Sequence, residues 1–406
     1  MRATHPFTRP SSALRRLSAL ATAATLALTI TSCSVGDSDD GPVISPLNAQ
    51  EANAAAPNNS RSLMDSDPLP TAEGTVTMST SDQNRKKGTV AGDLTTTVVS
   101  RAPSTDKVQW AVSIKPVAAN EERTEYADNA QSAMKEDMGR SSTGSTVVSP
   151  DGRYLSLILL PAEQQSGETA ADQHTHIVVL DAKTGKAVRT AEVSGIVLGQ
   201  ALSNISLAVE TAQDYFPSGS GKGTIRVFSI KNSGAQPSSF STDQWLIGAS
   251  GKDLLLAPDV PTYECTSDCA PYIVTRSGTD GHTIGTLPGV TAVHPGGWVS
   301  QYRDPKAAAS LLHTMHASPD NNDATEDARQ KLRKLPKRLV HIDTGQTTDT
   351  TDMTVDERSV PNGPGLVVYQ NVTTENGSAE SKPAFWLSAA DDGHPHTENL
   401  EQFENN

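Results

Sequence analysis

The sequence predicts an all-β fold assembled from repeated four-stranded sheets, with short helical inserts. Three observations carry this. Aromatic residues make up only 4% of the 406-residue chain, while Thr, Ser, Val, Ala and Gly are abundant; such a composition suits thin sheets better than a helical bundle. Apolar runs of strand length alternate with turns rich in Gly and Asp. One pattern recurs along the chain: a β-rich run, a tight turn containing glycine, then a polar, Thr-rich strand.

The first element is a leader. Arg2, Arg9, Arg15 and Arg16 precede Leu17 to Ile30, which are 14 residues without charge. That length is too short for a mature membrane span and right for an export signal. Ile30-Thr31-Ser32-Cys33 then places small residues before a cysteine. The arrangement resembles the lipobox of bacterial lipoproteins. The resemblance implies that residues 1–32 are a signal peptide cleaved before Cys33, and that Cys33 carries diacylglycerol on its sulfur. Residues 33–73 are rich in Ser, Asp, Asn, Ala and Pro, and are expected to form a disordered tether. Its reach as a flexible coil is about 35 Å. With two or more acyl chains the anchor is stable.

The main domain is expected over residues 74–406. Its clearest copy of the repeat is "HTHIVVLDAKTGKAVRTAEV". Further copies place turn glycines at Gly185, Gly234, Gly281, Gly345 and Gly393, with spacings of 49, 47, 64 and 48. Before each hairpin lie two more apolar runs, such as "STVVS" and "RYLSLILL" joined at "SPDG". Four strands per period of this length is the size of a propeller blade. An earlier copy turns at Asp106 without glycine, and its extra length, "ANEERTEYADNAQSAMKEDMGR", reads as a surface helix. The expectation is a β-propeller of about six, alternatively seven, four-stranded blades, closed by a strand from one end pairing at the other. The long spacing holds an insert at about 303–338, expected to form one or two helices. Its acids Asp323, Glu326 and Asp327 precede Arg329, Lys331, Arg333 and Lys334, an order that complements the helix dipole.

"SPDGRYLSLIL" resembles the blade turn of WD40-like and TolB-type propellers. Asp181, Thr184, Gly185 and Lys186 resemble the Asp-x-x-Thr-Gly-Lys turn of quinoprotein-like repeats. In that family a tryptophan three residues after the lysine locks neighbouring blades; here the position is Arg189.

The formal charge is −14, or −18 once the four arginines of the leader are removed. An acidic surface of this kind disfavours nucleic acid as a partner. With Cys33 lipidated, Cys265 and Cys269 remain; in an exported chain they read as a disulfide closing a small loop. As a zinc site they would be half complete. His174 and His176 share one face of a strand, and His394 and His396 repeat that spacing. No third ligand is placed beside either pair, so no metal and no cofactor is expected. "SGSGKG" at 218–223 lacks the phosphate-loop spacing. Neither a Gly-x-Ser-x-Gly elbow nor His-Glu-x-x-His occurs, and a triad assembled across blades is recognisable only by geometry. Catalytic residues are therefore not assigned. The functional expectation is a membrane-anchored, extracytoplasmic lipoprotein. Its propeller acts as a non-catalytic module binding an envelope protein or glycan. The alternative is a propeller enzyme, either a quinone-dependent sugar or alcohol dehydrogenase or a glycan-cleaving enzyme.

Overall fold

The computed structural model describes residues 41–55, 68–80, 95–103, 105–119, 145–160, 169, 172–213, 223–258, 271–317, 322–361, 363–373, 379–389 and 393–404. Cys33, Cys265 and Cys269 lie outside the described residues, as do residues 120–140 of the helix expected over 119–140 and the loop 218–222. Residues 42–406 form one compact unit.

Its strands make five antiparallel sheets. The first contains β1 (Val43–Pro46), β2 (Leu69–Pro70), β3 (Thr75–Thr80), β4 (Thr96–Arg101) and β5 (Val108–Lys115), in spatial order β1-β5-β4-β3-β2. The second runs in chain order through β6 (Thr146–Val148), β7 (Tyr154–Ile158), β8 (His174–Asp181) and β9 (Ala187–Ser194). The third does the same with β10 (Ile196–Leu202), β11 (Ser206–Ala212), β12 (Gly223–Ser229) and β13 (Ser238–Thr242). The fourth has seven strands: β14 (Trp245–Ala249), β15 (Leu254–Ala257), β16 (Tyr272–Ser277), β17 (Thr283–His294), β18 (Trp298–Tyr302), β19 (Lys337–His341) and β20 (Thr347–Asp349). The fifth is β21 (Met353–Val360), β22 (Gly363–Thr373) and β23 (Ala379–Ser388), with Trp386 bridged to His396.

The long strand β17 explains the seven. Thr283 to Val290 pair with β16, and Val290 to His294 pair with β18. One strand thus ends one four-stranded set and begins the next.

Period-2 alternation sends successive side chains to opposite faces, and each face packs on the neighbouring set. Val98 and Ile114 of the first sheet meet Leu155 and Val178 of the second. Ile177 and Val179 meet Leu207 and Val209 of the third. Ala208 and Ile225 meet Leu254 and Leu256 of the fourth. Within that sheet Leu255 and Val274 meet Val299 and Val340. Trp298 and Leu339 meet Leu366 and Leu387 of the fifth. Each buried Val or Leu contributes roughly 1.5–3 kcal/mol.

Turn residues link the same sets in polar terms. The Ala72 N–H donates to the Gly152 carbonyl at 2.9 Å. The Asp151 N–H donates to Asn204 Oδ1 at 3.0 Å, and the Asn204 N–H to the Gly251 carbonyl at 3.1 Å. Asp343 accepts from Ser250 Oγ and from the Gly251 N–H, both at 2.7 Å. At the far end, a Cβ on Gly363 would lie 3.2 Å from the Ala72 Cα. The last sheet therefore touches the first.

The sequence expectations need two corrections. Part of the stretch assigned to the tether is structured. β1 pairs with β5 from Val43↔Lys115 to Pro46↔Val112. Helix α1 (Ala49–Ala55) is capped by Asn48, whose Oδ1 accepts from the Gln50 and Glu51 N–H groups at 3.0 Å, and it buries Ala52 against Val99 and Ala111. Composition undercounted this segment because an open strand edge supplies partners that the segment itself lacks. The second correction concerns closure. Among the described residues no strand from one end pairs into the sheet at the other; the ends meet through turns.

The insert forms two helices, α2 (Pro305–Ala317) and α3 (Asn322–Arg333). Leu312 and Met315 pack on Ala328, Leu332 and Tyr302. On the outer face Glu326 pairs with Arg329 at 3.0 Å and Asp327 with Lys331 at 2.6 Å.

Candidate functional site

The turns come first, because they position everything else. Asp181 Oδ1 accepts from the Thr184 N–H at 2.9 Å and from Thr184 Oγ1 at 2.8 Å. Gly185 follows at φ 67°, the left-handed region that favours glycine. The Asp-x-x-Thr-Gly-Lys residues are thus spent on closing the turn. Gly281, Gly345 and Gly393 are also left-handed, Asp106 (φ 53°) takes the glycine's place in the earlier copy, and Gly234 is not left-handed.

Each of three turns receives a side chain from the preceding sheet. Trp110 of β5 lies over Gly185, where a Cβ would come within 2.5 Å of its ring, and its Nε1–H donates to the Ala182 carbonyl at 2.7 Å. Arg189 of β9 donates to the carbonyls of Asn232 (3.2 Å), Ser233 and Ala235 (3.4 Å). Phe240 of β13 covers Gly281, where a Cβ would lie 2.6 Å from the ring. At the position where the quinoprotein pattern has its tryptophan, Arg189 is a hydrogen-bonding lock between sheets. Burial lowers the pKa of its guanidinium.

Between β13 of the third sheet and β15–β17 of the fourth is a cleft of 320 Å³. Its lining includes Ser241, Thr242, Thr275, Ser277, Thr283 and Thr286, together with Asp243 and Gln244; the Ser277 hydroxyl donates to the Gly278 carbonyl at 3.1 Å. Thr275 and Thr286 are directly opposite one another across β16 and β17.

A buried carboxyl joins the same two sheets. Glu210 of β11 is 1% exposed, and its Oε2 accepts from the Leu246 N–H of β14 at 2.9 Å. Its Oε1 has no partner among the described residues. Burial outweighs the single hydrogen bond and pushes its pKa from 4.5 up to about 7.

A third cluster lies where the fourth sheet meets the fifth. His294 ends β17, and its Nε2 is 2.8 Å from Ser300 Oγ of β18. Its Nδ1 is 3.1 Å from Glu357 Oε1 of β21. The register Ala292↔Ser300 and His294↔Trp298 puts these side chains on the sheet face that packs against β21–β23. Nothing in the sequence marks this cluster, since Glu357 is 63 residues from His294.

The histidines singled out by spacing do other things. His174 Nδ1 pairs with Glu192 at 2.8 Å on an exposed surface. His396 stacks on Trp386 at 4.0 Å between ring centroids and lies 3.1 Å from Glu398. Among the described residues no group of three or more His, Cys, Asp and Glu is placed to hold a metal ion.

No protein-family model matches the chain, and no curated protein is similar to it. Among solved structures it is similar to the β-propeller domain of the trilobed protease from Pyrococcus furiosus. The identity is 12% over 80% of this chain and 85% of that one, with a TM-score of 0.38. It is similar to TolB from Acinetobacter baumannii at 12% identity over 82% and 65% of the two chains, with a TM-score of 0.28. The acylaminoacyl peptidase of Pyrococcus horikoshii gives 11% identity over 84% and 53%, with a TM-score of 0.34. The chain spans about half the length of the two acylaminoacyl peptidase chains it matches first. At this level of similarity, the description of the fold rests on the chain's own strand pairing and inter-sheet contacts.

Proposed function

We propose that this chain is a lipid-anchored, extracytoplasmic binding module, a ring of six blades whose ligand is a neutral envelope glycan. The observation that carries the ligand class is the cleft between the third and fourth sheets. Among the described residues its 320 Å³ are lined by six Ser and Thr residues with Asp243 and Gln244, and by no Lys, Arg or His, a composition that suits a polyhydroxylic ligand and offers no cation for a phosphate. Support for six blades comes from the division of the seven-stranded sheet at Val290 and from the run of turn contacts from Ala72 back to Gly363. Support for the anchor comes from the leader and Cys33. For Cys265 and Cys269, the single pair of cysteines left beside Cys33 in an exported chain supports a disulfide.

The test uses the soluble domain from Pro42 on a panel of neutral and acidic envelope glycans. A neutral glycan bound with a Kd that Thr275→Val and Thr286→Val each weaken supports the reading. Binding that ignores both substitutions, or no glycan binding at all, removes it. The anchor is tested separately. A clickable palmitate analogue labels the full chain and not the Cys33→Ala variant; equal labelling of both refutes lipidation at that position.

A further inference from the structure

We propose that Ser300, His294 and Glu357 form a nucleophile relay that cleaves carboxylic esters, with Ser300 as the attacking residue. The three groups take three roles by geometry alone. Glu357 accepts from Nδ1–H of His294 at 3.1 Å. That fixes the tautomer in which Nε2 carries a lone pair, and Ser300 Oγ stands 2.8 Å from it. A hydroxyl within hydrogen-bond reach of a base, with the base oriented by a third group, is the general signature of an activated nucleophile. The His294 side chain is 11% exposed, so water does not compete strongly for Nε2. Ser300 is half-buried, and the Glu357 side chain keeps 36% of its surface. The roles come from three strands, β17, β18 and β21, so the site exists only when two sheets are docked.

In the reaction, Ser300 Oγ forms a bond to the ester carbonyl carbon while its proton passes to His294 Nε2. The carbon–alkoxide bond breaks, and the departing alcohol takes that proton. Water then attacks the acyl-serine and gives a proton to Nε2; the bond from the acyl carbon to Oγ breaks, Oγ takes that proton, and the acid leaves with Ser300 restored. Glu357 is a positioning residue throughout; it holds the tautomer and faces the imidazolium charge.

The experiment treats the soluble domain with an alkyl fluorophosphonate. Oγ displaces fluoride, a P–O bond forms, and the adduct is located by mass spectrometry of tryptic peptides. Labelling of Ser300 in the folded protein is expected, together with hydrolysis of a nitrophenyl acetate above the rate of Ser300→Ala. His294→Gln slows labelling at least about 100-fold, the usual contribution of a general base. Glu357→Gln, which keeps shape and loses the charge, slows it comparably, while Glu357→Asp recovers part of the rate; a purely structural role would not distinguish these two. Circular dichroism identifies variants that fail to fold. An unlabelled Ser300 in wild-type protein that retains its folded spectrum overturns the proposal, whatever the variants do. So does labelling that Glu357→Gln leaves unchanged.

Discussion

Glu210 makes the stability of this protein depend on pH in a way that can be worked out from one carboxyl. In the unfolded chain it titrates near 4.5; in the fold, burial raises it to about 7. Each tenfold change in proton affinity is about 1.4 kcal/mol, so holding the ionised form inside costs the fold about 3 kcal/mol. The sign follows from which state binds the proton more tightly. Here it is the folded one, so the contribution is fully present below pH 4.5 and is lost as pH rises through about 7. The Glu210→Gln variant keeps an oxygen for the Leu246 N–H and cannot ionise. Urea unfolding followed by tryptophan fluorescence, with buried Trp245 next to the bond, is run on both proteins across this range. All other groups titrate alike in the two and cancel. The wild type is expected to lose about 3 kcal/mol relative to Glu210→Gln between acid and mildly alkaline pH. Parallel curves would refute the reasoning, because they would mean that the carboxyl is solvated in the folded protein.

Two further predictions concern the side chains that lock one sheet to the next turn. Trp110→Ala removes the ring over Gly185 and should cost about 3–5 kcal/mol in denaturant unfolding, the range for a buried Trp truncation. Gly185→Ala in the wild-type background should also destabilise, because the added carbon meets the same ring at a left-handed position. Arg189→Ala should lower stability by about 2–4 kcal/mol, since three carbonyls lose a charged donor. Arg189→Lys should recover less than half of that, because an ammonium cannot reproduce the planar fork. Full recovery with lysine would show that charge alone sets this contact.

Several elements could be read from local chemistry. The hairpins at Gly185, Gly281, Gly345 and Gly393 were identified because a tight turn before a polar strand leaves a glycine at a repeated spacing. Strands such as Ile196–Leu202 and Gly223–Ser229 were identified because a run of branched residues between turn signals admits few other structures. The insert was expected to form one or two helices, and the order of acids and bases marked the second, Asn322–Arg333. The N-terminal strand Val43–Pro46 escaped the same reading, because its partner is an edge supplied by Val108–Lys115, far along the chain.

The sequence by itself determined the all-β class, the repeat, the turns and the helical insert, since each depends on residues within a few positions of one another. Tertiary structure decided what those elements bring together. Arg189 looked like the absence of a tryptophan and is a lock on the turn after Asn232. Glu210, His294 and Ser300 looked like ordinary strand residues. Their character comes from partners on neighbouring strands or sheets, at distances along the chain that no local pattern encodes. A hydrogen bond and a burial cost are properties of positions in space, and only the packing of one sheet on the next assigns those positions.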